Sequence, residues 1–267
     1  MSRILALALN TFREAIRNRV LYVLLLFAVA LIVSALALGQ LSLHEEERVS
    51  RDVGLAGIAL FGAIIGVFIG VNLVYKEIDK KTVFALIPKP IHRWEFILGK
   101  YVGIVLTLAV LVGIMSAMLF LVLALQGLAT SAVNDVMPVV RAIFLLFLQQ
   151  SVIVAVAVLF SSFTTPILSG LFTLGVVVVG RSTPELREVI GRLGSAAARA
   201  IFGGLLRIFP DLNLFYVSGA LINGQRVSVH GAYVDWTYVA SASAYGVAYA
   251  ACALVLAMIV FSRRDFV

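Results

Sequence analysis

All five lysines of the chain, Lys76, Lys80, Lys81, Lys89 and Lys100, fall in one short stretch between two long apolar runs. Glu77, Lys80, Lys81 and Thr82 lead there into Val83, Phe84, Leu86 and Ile87, and Pro88-Lys89-Pro90 follows before Arg93. The chemistry these residues permit is docking rather than catalysis. Glu77 and Lys81 stand i, i+4 and favour carrying the preceding helix beyond the membrane. The two prolines must end it, and a second helix restarting near His92 completes a short helical hairpin. Its apolar side chains are then available to a groove on a soluble protein. Lysine and arginine near span ends are retained on the cytoplasmic side during insertion, which places the hairpin in the cytoplasm.

Other chemistry is excluded by what the pattern lacks. His44, His92 and His230 belong to different loops, and the single cysteine, Cys252, sits in an apolar run. Neither a zinc or haem site nor a disulfide is expected. There is no Walker-type phosphate loop and no nucleophile, base and orienter set, so the chain reads as no enzyme, without a cofactor or metal of its own. The expected span centres hold no Asp, Glu, Lys, Arg or His, the groups on which proton relays and ion-coupled carriers depend.

Packing and polarity remain. Gly62, Gly66 and Gly70 form one small-residue ridge and Ala242, Gly246 and Ala250 another. Such ridges let a neighbouring backbone approach, either inside one subunit or at a dimer interface. Gln149, Gln150 and Ser151 lie near the middle of one span, and Tyr238, Tyr245 and Tyr249 line one face of the last. Gln149, Gln150, Tyr245 and Tyr249 suit either a pathway lining or hydrogen bonds between helices.

The elements that position these residues follow from composition. With 62% hydrophobic and 13% charged residues in 267, the chain carries more apolar surface than one soluble core buries. An all-α, polytopic membrane protein is expected. The formal charge of +7 belongs to juxtamembrane loops and suits anionic lipid headgroups rather than nucleic acid. Residues 2–19 place apolar and charged side chains on opposite helical faces, as an interfacial elbow helix does. The run Val20 to Leu38 is 19 residues, longer than a signal-peptide core of about 7 to 15 residues, and reads as a retained span.

Spans are expected at about 20–40, 54–75, 100–125, 139–160, 166–181 and 237–262, with the basic loop at 76–99. From Ile143 to Gly180 run 38 residues without a charge; one straight helix of that length would reach about 57 Å, nearly twice the hydrocarbon thickness. The run must break, and Ser161-Ser162-Phe163-Thr164-Thr165-Pro166 is the turn. Residues 182–236 form an outer loop holding a second interfacial helix, started by the capping-box spacing Ser182-Thr183-Pro184-Glu185. Alternation puts this arginine-rich loop outside, against the usual charge bias.

Thr11-Phe12-Arg13-Glu14-Ala15-Ile16-Arg17-Asn18-Arg19, Glu77 through Thr82, Pro88, Arg93-Trp94-Glu95 and Gly99-Lys100 occur in that order. With Ser161 through Pro166, Pro210 through Phe215 and Phe261 through Phe266, the chain resembles the ABC-2 family of ABC transporter permeases. The likeness is to the group associated with multicopper-enzyme and nitrous-oxide-reductase maturation. Many relatives carry glycine where this chain has Lys81. The resemblance implies six spans per subunit, a homo- or heterodimer of permease subunits in the bacterial inner membrane, and both termini in the cytoplasm. It implies a separate ABC ATPase binding ATP and Mg, coupled through Glu77, Lys80, Lys81, Thr82, Phe84, Leu86, Pro88 and Arg93. A second cytoplasmic contact at Ser161, Ser162, Thr164 and Thr165 and a periplasmic or membrane accessory protein are also implied. The competing reading is a membrane scaffold or assembly factor that performs no transport. Lipid, polysaccharide, peptide, drug and copper or sulfur species all fit as substrate.

Overall fold

A computed structural model describes residues 3–41, 46–79, 92–127, 136–192, 195–217, 220–222, 225–227 and 235–262. Its helices are α1 (Arg3–Ile16), α2 (Arg19–Leu41), α3 (Glu46–Asp79), α4 (Arg93–Gly127), α5 (Val136–Ser161), α6 (Pro166–Arg181), α7 (Thr183–Gly191), α8 (Ala196–Leu206) and α9 (Trp236–Ser262). A 3-10 turn (Leu212–Phe215) and a short antiparallel hairpin, β1 (Ala220–Ile222) with β2 (Gln225–Val227), join α8 to α9. Five helices, α2 to α5 and α9, are long and apolar enough to cross a membrane, and six spans result if α6 and α7 together count as one. The chain is a multi-pass membrane protein.

The uncharged run breaks at its serine and threonine turn. Ser161 and Ser162 donate their hydroxyls to the carbonyls of Val158 and Leu159, and Thr164 donates to Phe160. The same carbonyls also accept the backbone N–H groups of Ser162, Phe163 and Thr164, so the hydroxyls add a further bond to each at the helix end, where local side-chain bonding competes with continuing the helix. Pro166 then opens α6, where its missing N–H costs nothing.

Helices α2 to α5 alternate in direction and α9 runs the same way as α5, as contacts at both ends of the bundle show. At one end the Phe96 and Phe261 rings stack 5.8 Å apart, joining the start of α4 to the finish of α9. At the other, the Arg141 guanidinium lies 4.7 Å from the Trp236 ring centroid, joining the starts of α5 and α9. There too Gln126 donates to the Ser50 hydroxyl at 2.8 Å and Ser50 donates to the Ala35 carbonyl at 3.0 Å, which ties α4, α3 and α2. Beside Trp236, Asp235 accepts from the Thr237 hydroxyl and the Trp236 backbone N–H, and these bonds hold its carboxyl below the usual carboxylate range.

The core is mostly apolar, with a few buried polar side chains such as Thr107, Gln149 and Gln150 set into it. Ile69, Ile97, Leu254 and Phe261 are buried near the first end, and Ile32, Leu55, Met115 and Leu119 near the second. Large apolar side chains left outside, including Ile167, Leu171 and Val178 of α6, are what a lipid-facing surface requires.

The segment 182–209 differs from the single interfacial helix its apolar spacing predicts. It is two helices, α7 turning 66° from α6 and α8 starting afresh at Ser195, whose hydroxyl accepts from the Ala198 N–H.

Candidate functional site

The helices flanking the basic loop are long. α3 has 34 residues, about 51 Å, and continues without a break from its apolar stretch Arg48–Asn72 to Asp79. Glu77 therefore stands in its last turn and Arg93 begins α4. Lys80, Lys81, Thr82, Phe84, Leu86 and Pro88 lie outside the described residues. The restart of α4 has a local cause: Glu95, three residues in, accepts a 3.0 Å hydrogen bond from the His92 N–H. That is half of a capping box.

The base of this region is built by α1, which the sequence reading treats only as an elbow. It packs lengthwise along α4 in parallel register. Arg3 stands 4.0 Å from the Glu95 carboxylate. A Cβ on Gly99 would come within 2.6 Å of the Leu7 Cβ, and one on Gly103 within 2.5 Å of the Ala8 carbonyl oxygen and 2.6 Å of the Thr11 Cβ. Thr11 is buried against Gly103, and its hydroxyl is satisfied there by donating to the Leu7 carbonyl at 2.9 Å. Lys100, counted by sequence with the exposed loop lysines, is instead sealed beneath α1. Its side chain is 1% exposed and its ammonium lies 3.8 Å from Glu14.

At the turn after α5, Ser161 and Ser162 are buried with their hydroxyls bonded to backbone. Of that expected second contact, Thr165 is exposed, beside Phe163.

The glycine ridge of α3 faces α5 of the same chain. A Cβ on Gly62 would lie 2.6 Å from the Gln150 amide nitrogen, one on Gly66 3.5 Å from Val154, and one on Gly70 2.6 Å from the Ala157 Cβ. Of the two roles expected for Gly62, Gly66 and Gly70, helix packing is the one observed. Within the chain, α5 occupies the face of α3 that this ridge presents. The second ridge is filled likewise: a Cβ on Gly246 would stand 2.9 Å from the Phe215 ring.

Gln149 and Gln150 are fully buried, and each donates to a backbone carbonyl on another element. Gln149 bonds Leu212 at 3.4 Å and Gln150 bonds Ala59 at 3.3 Å. The tyrosine face of α9 also grips backbone. Tyr238 donates to the Leu214 carbonyl at 2.6 Å, Tyr249 donates to the Ile208 carbonyl at 3.0 Å, and the Tyr245 hydroxyl accepts from the Asp211 N–H at 2.9 Å. Gln149, Tyr245 and Tyr249 thus hold the return segment after α8 in place.

This sinks Pro210, Asp211, Leu212 and Phe215 into the bundle, while Ile208 stays exposed at its surface. Gln149 is midway along α5 and Tyr249 midway along α9, so Leu212 and Ile208 stand level with the helix centres. Gly180, near the end of α6, packs there too: its Cβ would meet the Pro210 carbonyl oxygen at 2.5 Å. Asp211, to which the sequence reading gives no role, is the hub. It accepts from the Arg187 guanidinium at 2.9 Å and from the Asn213 N–H at 3.3 Å. Three arginines, Arg187, Arg199 and Arg207, line an open cleft of about 450 Å³ between α7 and α8.

Among the described residues no group of three or more His, Cys, Asp or Glu could hold a metal ion. A family model described as ABC-2 family transporter protein matches residues 5–266. No curated protein matches the chain.

Proposed function

The chain belongs to the ABC-2 family of transporter proteins, and on that premise we propose that its loop 76–99 couples a separate cytoplasmic ABC ATPase to movement within the bundle. The protein is a permease subunit of an ABC transporter. In this reading two such subunits stand in a bacterial inner membrane with their termini cytoplasmic, and ATP with Mg is bound only by the partner. The cycle exports a substrate or transmits force to an envelope protein. The same proposal extends to the subgroup: the residue order from Thr11 to Phe266 resembles that of the group associated with multicopper-enzyme and nitrous-oxide-reductase maturation.

One observation carries the coupling: α3 runs unbroken from its contact with α5 at Gly62, Gly66 and Gly70 to Asp79. A push on the loop then arrives at the packed centre, since close-packed helices shift as units rather than deform. In this reading Phe84 and Leu86 are the apolar contacts offered to the ATPase, with Lys80 and Lys81 shortly before them in the sequence.

The test is co-purification with a cognate ABC ATPase. Phe84→Asp and Leu86→Asp bring a carboxylate into an apolar groove at a cost of several kcal/mol. Both variants are expected to insert normally, lose the ATPase on purification and lose stimulated ATP hydrolysis. Undiminished complex and activity in both would reject the assignment.

A further inference from the structure

We infer that the cleft between α7 and α8 binds the phosphate of an anionic amphiphile, a lipid-like molecule with a phosphate ester head. This is independent of ATP coupling and concerns the opposite part of the chain from the basic loop.

The cleft is built by one face of each helix. Arg187, Ile190 and Gly191 of α7 are spaced i, i+3, i+4, and Arg199, Gly203 and Arg207 repeat every four residues on and just after α8. Nothing lies within 4 Å of where a Cβ on Gly191 or Gly203 would stand. The two glycines therefore hold open the volume between the arginines. Arg187 is fixed by its ion pair with Asp211, whereas the guanidiniums of Arg199 and Arg207 have no acidic partner among the described residues. The nearby Glu188 is engaged by Arg192 outside the cleft.

Depth makes this charge consequential. Arg207 adjoins Ile208, whose carbonyl is bonded to Tyr249 at the midpoint of α9. Cationic groups at the level of a bilayer interior require a counter-ion or water. Guanidinium forks match phosphate oxygens in geometry and charge, and Arg199 and Arg207 line the same cleft as Arg187, whose fork is shared with Asp211. The surroundings select the rest of the ligand. α8 has no buried residue, and Ile201, Phe202, Leu205 and Ile208 are exposed beside the cleft. A charged head within and an apolar tail along α8 satisfies both surfaces.

The experiment is a thermal melt of the purified full-length protein in neutral detergent with phosphatidylglycerol, phosphatidylcholine or inorganic phosphate. Phosphatidylglycerol is expected to raise the melting temperature by roughly 5 °C near saturation, as a ligand of the folded state does. Arg199→Gln/Arg207→Gln should lose at least half of that rise, and Arg192→Gln should keep it. Gly203→Leu fills the cleft while every arginine is kept and should also abolish the rise, so the result stands if the double variant folds poorly. An equal rise with phosphatidylcholine, no rise with phosphatidylglycerol, or a full rise in both cleft variants would overturn the site. An equal rise with inorganic phosphate would overturn the amphiphile in favour of a free anion.

Discussion

The methyl group of Ala157 occupies the space that a side chain on Gly70 would take, since a Cβ there would stand 2.6 Å away. Both residues belong to rigid helices, so neither can swing aside. Gly70→Ala is expected to destabilise the protein by about 1–3 kcal/mol, the usual cost of overpacking. Gly66→Ala meets Val154 at an ordinary 3.5 Å and should be neutral or gain up to about 1 kcal/mol of helix propensity. Melting in mild detergent beside subunit stoichiometry reads both effects. Selective loss of dimer in Gly66→Ala, without loss of stability, would return the ridge to a subunit interface.

Tyr245 and Asp211 make a second contrast. Tyr245→Phe leaves the part-buried Asp211 N–H without its acceptor, a loss of about 1–3 kcal/mol. Asp211→Asn weakens an ion pair whose arginine is 64% exposed, and such pairs contribute about 0–1 kcal/mol. Asparagine also keeps an acceptor for the Asn213 N–H. Tyr245→Phe is therefore expected to lower the melting temperature more than Asp211→Asn. The reverse order would mean that charge, not backbone satisfaction, holds the return segment.

The contrast marks what could be read in the sequence. Long apolar runs declare membrane helices by length alone, and the run from Ile143 to Gly180 declared its break because no bilayer accommodates about 57 Å of helix. The spacing of Gly62, Gly66 and Gly70 identified a close contact but not its occupant, since small residues say where a backbone can approach and not which one does. Lys100 was misread for a similar reason. Its charge resembled that of the loop lysines, while Gly99 and Gly103, which seat α1 over it, were too few to stand out as a ridge. In 182–209 the apolar period continues across the break, and the cue that would have shown it was Ser195 placed to cap a new helix. Residues 210–217 have no period at all, so nothing local announced that Asp211 enters the bundle.

The seat of α1 gives a third prediction. Gly103→Leu thrusts a branched side chain against the Ala8 carbonyl and Thr11, already at 2.5 and 2.6 Å from a Cβ. Displacement of α1 would uncover Lys100 while leaving the contacts among α3, α5 and α9 intact. Proteolysis after Arg17 and Arg19 should accelerate at least several-fold, with the remaining helices protected as one fragment. Unchanged cleavage together with unchanged melting would show that α1 accommodates the side chain where it lies.

The last prediction concerns the side of the membrane that the arginine hairpin faces. α6 has 16 residues, about 24 Å, which falls short of the roughly 30 Å hydrocarbon layer. Its end packs level with Gln149, midway along α5, rather than with the start of α5. The hairpin of α7 and α8 consequently hangs below the surface marked by Arg141 and Trp236, and its arginines need water or anions at that depth. In a Cys252→Ser background, cysteines replacing the exposed Met137, Ala197 and Asn10 separate the possibilities in sealed vesicles. Positions 137 and 197 should react with an impermeant thiol reagent from one side and position 10 only from the other, with 197 the slower of the pair. Reaction of 197 from the side of position 10 would make α6 and α7 a re-entrant loop and leave five spans. No reaction at 197 from either side, with 137 labelled, would place the hairpin in lipid and exclude water from the cleft.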